Sequence, residues 1–485
     1  MSTSSSPFKS YDIRGLVGQE ITPEFAYKLG LALIEVIKPK TVLVGYDMRQ
    51  SSPDLAKELV RAFLEQGIHS LEIGICTTPV FYHAVAERPE VDLGVVVTAS
   101  HNPSEYNGFK LTRSQAIPIG SGSGMEEIAK AFERLQYNEQ QKGTIKIAEQ
   151  VDGAVDEYVT AVIDRLPDSG EGLKSAKPKS LRFIADAGNG MAGLTLPVLI
   201  ERLPALDLQP LYWELDGTFP NHEANPLHTA TLKELQVKVV AEGATAGFAF
   251  DGDGDRIGVV VEKGDVVPGD MLTALLAQEL LRAAPGSTVL NDLRCSWSTA
   301  EAIREAGGTP ELCRVGHAHI KKQMRERNAL FGGELSMHFY FAAFAYCEAS
   351  EYAMLLLVDL LKRTGKPLSE LWRPFLRYSH SGEKNYKLSD ETPAAVLGRL
   401  EKMYVPRASS VSRIDGLRCE FVDPTAPGKA WWFSVRASNT EPLLRLNLEA
   451  RQPEVMHTAL KELECVILSP DGTALSSHSS DLSSP

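Results

Sequence analysis

Apolar positions follow two rhythms along the first part of the chain. Continuous apolar runs of strand length, TVLVGYD (41–47), SLEIGIC (70–76) and DLGVVVTAS (92–100), alternate with two segments whose apolar residues recur at helical spacing. These are PDLAKELVRAFLEQG (53–67), which stops at Gly67, and VFYHAVAE (80–87). Uninterrupted apolar strands separated by helices predict a parallel sheet covered on both faces. The rhythm then repeats. SLRFIADAGNG with LTLPVLIERL (180–203) opens a second unit that GATAGFAFDGDGDR (243–256) closes, and VLNDLRCS with TAEAIREAGG (289–308) opens a third.

From about residue 380 the texture changes. YKLSD, SRIDGLRCEF, AWWFSVRAS and LLRLNLEA read as short antiparallel strands, followed by a helical VMHTALKELECVI. The pattern therefore predicts three α/β units and a smaller α+β unit. The polar stretch RLPDSGEGLKSAKPKS (165–180) reads as a linker and the Ser-rich end as a disordered tail.

Composition narrows the function classes. At 485 residues the chain is too long for one ordinary core. Its net charge of −13 argues against a nucleic-acid binder, which holds phosphate backbones with clustered Lys and Arg. Small phosphorylated ligands need only a local cationic pocket and stay open. The six cysteines contain no CxxC pair and read as reduced thiols. The most apolar window, AMLLLVDLL, is broken by Asp359, and the start MSTSSSPFKSYDIRG has no apolar signal core. The expectation is a cytoplasmic protein with no membrane partner.

Six stretches can carry chemistry. DGDGDR (251–256) follows a strand and sets three carboxylates at alternate positions, a density that suits a hard cation such as Mg²⁺. An EF-hand also fits Glu262 at the twelfth place, but Arg256 stands where the sharp turn needs Gly, and the flanks read as strands. GNGMAG (188–193) matches a dinucleotide fingerprint, with Glu214 and Asp216 at the distance of a ribose-binding acid. Asp186, just before the glycines, sets its charge against a pyrophosphate, so a structural turn is preferred. RASNTEP (436–442) offers Arg436, Ser438, Asn439 and Thr440 as a phosphate cradle. GGELSMH (332–338) places Glu334, Ser336 and His338 at alternate positions, which in an extended segment face one way and can grip sugar hydroxyls. In RVGHAHIKK (314–322), His317 is a proton shuttle or a helix cap.

The last stretch is VTASHNP (97–103). A Ser–His–acid hydrolase calls for a G-x-S-x-G elbow, which is absent. Adjacent residues of an extended loop point apart, so His101 is expected to be badly placed as a base for Ser100. Ser100 as a phosphate carrier beside a metal fits better.

With these residues together, the chain resembles the α-D-phosphohexomutase superfamily, in particular its phosphomannomutase and phosphoglucomutase members. YDIRG (11–15), TASHNP (98–103) with YNGFK (106–110), DGDGDR, GGELSMH and RASNTEP stand in the family's order and approximate spacing, over residues 8 to 468. The resemblance implies three mixed α/β sandwich domains plus a C-terminal α+β domain around a central cleft. Their expected bounds are 7–150, 151–260, 261–378 and 379–468, with a tail over 469–485. It makes Ser100 the phosphorylated residue, joined by Asp251, Asp253 and Asp255 around Mg²⁺. Arg14, His101, Lys110 and Arg256 would neutralise the transferring phosphoryl, with Lys110 a proton donor or acceptor, and His317 would join them. Asn102, Arg294, Glu334, Ser336 and His338 would hold the sugar, and Arg436, Ser438, Asn439 and Thr440 its other phosphate.

The implied activity is a Mg²⁺-dependent phosphomannomutase, working through a hexose 1,6-bisphosphate and also acting on glucose phosphates, as a monomer or homodimer. A mobile last domain would close the cleft against water. Leu335 and Met337 depart from the sugar loop usual in mannose-handling relatives, and Arg294 stands where some relatives carry Lys. A phosphoglucomutase, a sugar phosphatase, a non-catalytic sensor and the dehydrogenase of GNGMAG are the competing readings.

Overall fold

The computed structural model describes residues 7–136, 147–166, 181–388, 391–437 and 443–468. The linker residues 167–180 and the tail 469–485 lie outside them, as do Ser438, Asn439 and Thr440.

The first sheet contains β1 (Ile13–Leu16), β2 (Thr41–Tyr46), β3 (His69–Ile75), β4 (Leu93–Val97), β5 (Tyr106–Arg113), β6 (Ile117–Pro118) and β7 (Glu149–Gln150). Their order is β1-β5-β4-β2-β3-β7, with β6 on β5. The predicted parallel arrangement is its centre, β4-β2-β3. β5 then returns antiparallel beside β4 and pairs β1, so residues 98–105 form the hairpin loop at the carboxyl end of β4. A helix over Pro23–Ile37, absent from the sequence reading, covers one face. Thr22 caps it by accepting from Phe25 N at 3.1 Å, Pro23 opens it, and Lys38 ends it in the left-handed region.

The second sheet repeats this plan with β8 (Arg182–Asp186), β9 (Asp207–Leu211), β10 (Ala246–Phe250), β11 (Ile257–Val261) and β12 (Val266–Val267), in the order β12-β11-β10-β8-β9. β9, β8 and β10 are parallel, and β10 folds back on β11 as an antiparallel hairpin whose turn is DGDGDR. The sheet runs on to Val267, past the expected domain bound at 260, which falls inside β11. The third sheet contains β13 (Thr288–Asp292), β14 (Thr309–Cys313), β15 (Phe331–Gly333), β16 (Phe339–Phe341) and β17 (Cys347–Glu348). β14, β13 and β15 are parallel, and β15 turns back on β16 through residues 334–338. Three times, a parallel sheet ends in an antiparallel hairpin, and each hairpin carries one of the motifs.

The fourth sheet is antiparallel: β18 (Ser379–His380), β19 (Lys384–Lys387), β20 (Ser410–Ser412), β21 (Leu417–Phe421), β22 (Trp431–Ala437) and β23 (Leu443–Ala450). Helices Pro393–Tyr404 and Pro453–Leu468 supply its core, which forms its own cluster with Leu400, Phe433, Leu446 and Leu463. A larger apolar core runs from the first unit to the third, through Phe81, Tyr158, Phe248, Leu272 and Tyr352.

The fourth sheet docks on the third through polar groups. Glu449, 1% exposed, accepts from Trp297 N at 3.0 Å, in the first turn of helix Trp297–Glu305, and from Trp432 Nε1 at 2.9 Å. Arg418 lies 3.8 Å over the Trp432 ring and donates to Leu293 O.

Candidate active site

The hairpin loops of the first three sheets and the end of β22 meet at a cavity of about 470 Å³. Arg14, Ser100, His101 and Lys110 line it from the first unit, Asp255 and Arg256 from the second. Arg294, His317, Glu334, Ser336 and His338 come from the third, and Arg436 from the fourth.

Ser100 takes φ 53, a left-handed conformation that is strained for a serine. Its N–H donates to Thr98 Oγ1 at 2.9 Å. This turn overturns the expectation that His101 points away. Ser100 Oγ lies 3.1 Å from His101 Nδ1 and 3.2 Å from Asp251 Oδ2, because the loop at this point is a tight turn rather than an extended segment. Burial, with Arg256 and Arg14 adding to it, holds the His101 imidazole well below its ordinary pKa, so the ring beside Oγ is neutral.

A residue missed by the sequence reading fixes this loop. Arg49, 1% exposed, donates to four carbonyls: Ser100 O (2.9 Å), Asn102 O (2.6 Å), Pro103 O (2.7 Å) and Tyr106 O (3.0 Å). Asp47 orients the guanidinium at 3.2 Å. Asn102 is turned to the protein, accepting from Arg14 Nη1 at 2.7 Å, and Asp12 accepts from Arg14 Nε at 2.7 Å. Only the DMR that follows β2 hinted at Arg49, and an isolated charged pair after a strand has no distinctive pattern.

The carboxylates of Asp251, Asp253 and Asp255 are buried and bring ligand oxygens within 4.8 Å of one another. Lys110 Nζ reaches Asp253 Oδ2 and Asp255 Oδ2, both at 2.5 Å. Burial disfavours the Lys110 ammonium, but these two carboxylates outweigh it and raise its pKa, so Lys110 is held charged. Burial, with Asp255 and Asp253 reinforcing it, pushes the Asp251 carboxyl well above the ordinary range. Oδ1 of Asp253 and of Asp255 has no hydrogen-bond partner. Three buried carboxylates, one ammonium between two of them and two unpartnered oxygens fit a hard divalent cation. Glu262 turns away and accepts from Ser369 N at 3.2 Å, in keeping with rejection of the EF-hand.

GNGMAG braces this loop. Met191 N donates to Gly252 O at 2.9 Å, Asp186 accepts from Gly188 N at 2.8 Å and pairs His222 Nε2 at 3.0 Å. Glu214 O accepts from Asn189 Nδ2 at 2.9 Å, and Asp216 Oδ1 from Thr218 N at 2.9 Å. The turn is structural.

Residues 334–338 are a turn, not the extended segment expected. Met337 takes φ 65, and Met337 N donates to Glu334 O at 3.0 Å. The turn, rather than strand alternation, aims the side chains into the cavity. Glu334 accepts from Gly316 N (2.9 Å) and Tyr340 Oη (2.6 Å) and lies 3.7 Å from Arg294. Arg294 forks onto Asp292 at 3.0 and 2.7 Å and stands 3.4 Å from Ser336 Oγ. Burial, then Arg294, act in opposite directions on Glu334, and burial prevails to raise its pKa. Leu335 lines the cavity, whereas Met337 is buried with its sulfur toward Gly258. Its bulk therefore stays out of the cavity.

His338 Nε2 accepts from Arg256 Nε at 2.9 Å. Burial, then Arg256 and Lys110, hold His338 well below its ordinary pKa. His317 is the first residue of helix His317–Arg327, behind the N-cap Gly316, so it is not the cap. Both ring nitrogens are buried without a hydrogen-bond partner. Arg436 sits 3.5 Å from Glu383, which also lies 3.9 Å from Arg294 and 3.5 Å from Arg445. Glu383 and Arg445 were not singled out in the sequence. Arg445 is one of three polar residues that alternate with leucines in LLRLNLEA, and Glu383 belongs to no motif.

Four family profiles match the chain in order. They are described as phosphoglucomutase/phosphomannomutase alpha/beta/alpha domain I (residues 5–139), domain II (156–264), domain III (268–378) and C-terminal domain (383–464). A phosphomannomutase of Salmonella montevideo is 36% identical over 452 residues, covering 92% of this chain and 94% of that one. A solved phosphoglucomutase/phosphomannomutase family protein of Burkholderia thailandensis superposes with a TM-score of 0.83 at 30% identity, covering 96% and 98% of the two chains. An N-acetylphosphoglucosamine mutase of Aspergillus fumigatus, solved with GlcNAc-6P and magnesium, shares the fold at a TM-score of 0.56 and 15% identity, over 81% and 93%.

Proposed function

The chain belongs to the phosphoglucomutase/phosphomannomutase family of the α-D-phosphohexomutase superfamily, and on that premise we propose that it is a phosphomannomutase. It interconverts mannose 1-phosphate and mannose 6-phosphate through a hexose 1,6-bisphosphate, and also turns over glucose phosphates. The observation that carries this reading is the position of Ser100 Oγ, 3.2 Å from the carboxylate cluster and open to a cavity lined from four sheets.

Ser100 carries the phosphoryl group. The free hydroxyl oxygen of the bound sugar phosphate forms a bond to phosphorus as the Ser100 Oγ–phosphorus bond breaks, giving the bisphosphate. The proton lost by the sugar hydroxyl is relayed through His101, whose neutral ring lies 3.1 Å from Oγ, to the departing Oγ, which leaves as the Ser100 hydroxyl. In the second half Oγ bonds to the phosphorus at the other end of the sugar as the bond from that phosphorus to the sugar oxygen breaks, and the Oγ proton passes back through His101 to the departing sugar oxygen.

Arg14, Lys110 and Arg256 neutralise the charge that spreads over the transferring group. Asp251, Asp253 and Asp255, with the phosphate oxygen on Ser100, would hold Mg²⁺, which supplies further charge neutralisation at that phosphoryl. Glu334 and Ser336 face the sugar, and Arg294 orients both. Arg436, with Ser438, Asn439 and Thr440, receives the phosphate that is not reacting, so one cradle serves either end of the sugar. The fourth unit closes over the cleft to keep water from the phosphoserine.

The test is phosphorus NMR of the protein with Mg²⁺ and a trace of hexose 1,6-bisphosphate, given mannose 1-phosphate and glucose 1-phosphate separately. A growing 6-phosphate signal, faster from mannose, is the expected result. Free inorganic phosphate instead would make the protein a phosphatase, and no change with either sugar would overturn the reading. Ser100→Ala is expected to lower turnover by about 1000-fold or more.

A further inference from the structure

Arg436 and Arg445 stand directly opposite one another on β22 and β23. Like charges at such a cross-strand position repel, so the pair calls for an anion between them. Glu383 supplies it. Its Oε2 lies 3.5 Å from Arg436 Nη2 and 3.9 Å from Arg294 Nη1, and its Oε1 lies 3.5 Å from Arg445 Nη1. These separations are those of a loose ion pair, in contrast to the fork of Asp292 on Arg294 at 3.0 and 2.7 Å. Arg294, Glu383, Arg436 and Arg445 all line the cavity. Arg436 is 4% exposed, and its Nε has no hydrogen-bond partner among the described residues. Glu383 keeps 23% of its side-chain surface in solvent and follows Gly382, where a Cβ would meet nothing within 4 Å. The carboxylate therefore sits among the cradle's cations without being clamped there, and it has open space to turn into.

We propose that Glu383 is a resident anion of the phosphate cradle, which holds Arg436 and Arg445 in the empty cleft and is displaced when a sugar's phosphate enters. This role deepens the proposed function and rests on Arg436 receiving the phosphate that is not reacting. Carboxylate and phosphate are alternative partners for the same guanidinium fork. The cradle is open to phosphate only while Glu383 has turned away, so the apparent affinity is lowered by the fraction of molecules in that state. A mutase gains from the lower affinity. Its bisphosphate must leave the cradle by one phosphate and re-enter by the other, and binding that is equally tight at every stage does nothing for kcat. Glu383 takes back the arginines while the bisphosphate turns. It is a positioning residue that touches no reacting atom.

The test is calorimetric titration of the full-length protein with inorganic phosphate, wild type against Glu383→Gln, which keeps the side chain's size and removes its charge. Glu383→Gln is expected to bind phosphate about 10-fold more tightly. In Glu383→Gln/Arg436→Gln that gain is expected to vanish, which locates it at the cradle. A carboxylate that merely orients the arginines would weaken binding when removed. Unchanged or weaker binding by Glu383→Gln therefore overturns the proposal, as does a gain that survives Arg436→Gln, or no phosphate binding by either protein. The second readout is steady-state turnover of mannose 1-phosphate, with KM expected to fall about 10-fold and kcat about 3–10-fold in Glu383→Gln, the split that a slower turn of the bisphosphate produces. An active variant with wild-type kcat and KM overturns the proposal. If Glu383→Gln does not fold, Glu383→Asp, which withdraws the carboxylate by one methylene, is read by the same titration, and binding no tighter than wild type overturns it. Phosphate binding is read without turnover, so a protein inert to mannose 1-phosphate would count against the proposed activity and leave the Glu383 result standing.

Discussion

Gly252 is packed so closely on Ser100 that a Cβ at position 252 would come within 2.4 Å of the Ser100 carbonyl oxygen. The carboxylate loop and the serine loop therefore meet backbone to backbone, with no side chain between them. Gly252→Ala is expected to force the two loops apart, lowering stability by about 1–3 kcal/mol. Its larger effect is on kcat, because Ser100 Oγ moves away from Asp251. Thermal unfolding and phosphosugar turnover measured on the same preparation check both parts.

Divalent cation is expected to stabilise the protein. Lys110 pairs with Asp253 and Asp255 and Arg256 stands 3.6 Å from Asp251, two cations for three buried carboxylates, and Mg²⁺ at about 100 times its Kd adds about 2.7 kcal/mol. Asp253→Asn removes one of the buried charges. That variant is expected to melt above the wild type in EDTA, to gain nothing from Mg²⁺ and to be inactive. A wild-type Tm that does not respond to Mg²⁺ would remove the cluster from consideration as a cation site.

Arg49→Lys tests the clamp on the serine loop. An ammonium cannot span the carbonyls of Ser100, Asn102, Pro103 and Tyr106 that the guanidinium reaches. The expected loss is about 3 kcal/mol of stability, with a fall in kcat although Arg49 lies behind the loop. Urea unfolding and turnover of mannose 1-phosphate measure the two effects.

The dock between the third and fourth sheets is expected to weaken with rising pH. Burial pushes the Glu449 carboxyl up to about 7 from its ordinary 4.5. Between these values the unfolded chain is ionised while the folded protein keeps its proton, so stability from this group falls as pH rises through the window and is at its lowest above 7. The change amounts to about 3 kcal/mol. Glu449→Gln keeps an acceptor for Trp297 N and Trp432 Nε1 without the charge. The variant should match the wild type near pH 4.5 and exceed it at pH 8, as read from urea midpoints across the range.

Much of the site was legible because its chemistry is local. Three aspartates in six residues and a Ser-His-Asn turn after a buried strand declare themselves without knowledge of the fold. What escaped depends on long-range burial or on one backbone angle. Arg49 matters because residues 51 to 57 positions further along the chain offer it their carbonyls. Lys321 and Glu348 pair only in the folded interior, and although Lys321 stands in RVGHAHIKK nothing local sets it apart there. His101 and the 334–338 turn were misplaced for one reason: Ser100 at φ 53 and Met337 at φ 65 adopt a conformation that strand-like reasoning does not allow for. The helix over Pro23–Ile37 had its signals, a Thr cap and a following Pro, but its residues were not read for periodicity.

Arg256 and His338 also pair through their backbones, and Ile257 N donates to Met337 O at 3.2 Å. A short ladder thus stitches the second sheet's hairpin to the third's. The loop that would read the sugar and the loop that would hold the cation are one mechanical part. Sugar choice and reaction rate are for that reason not separate modules in this protein. Grafting another relative's residues 334–338 into this chain would disturb the carboxylate loop together with the specificity, and a change of preferred sugar has to be selected in both hairpins at once.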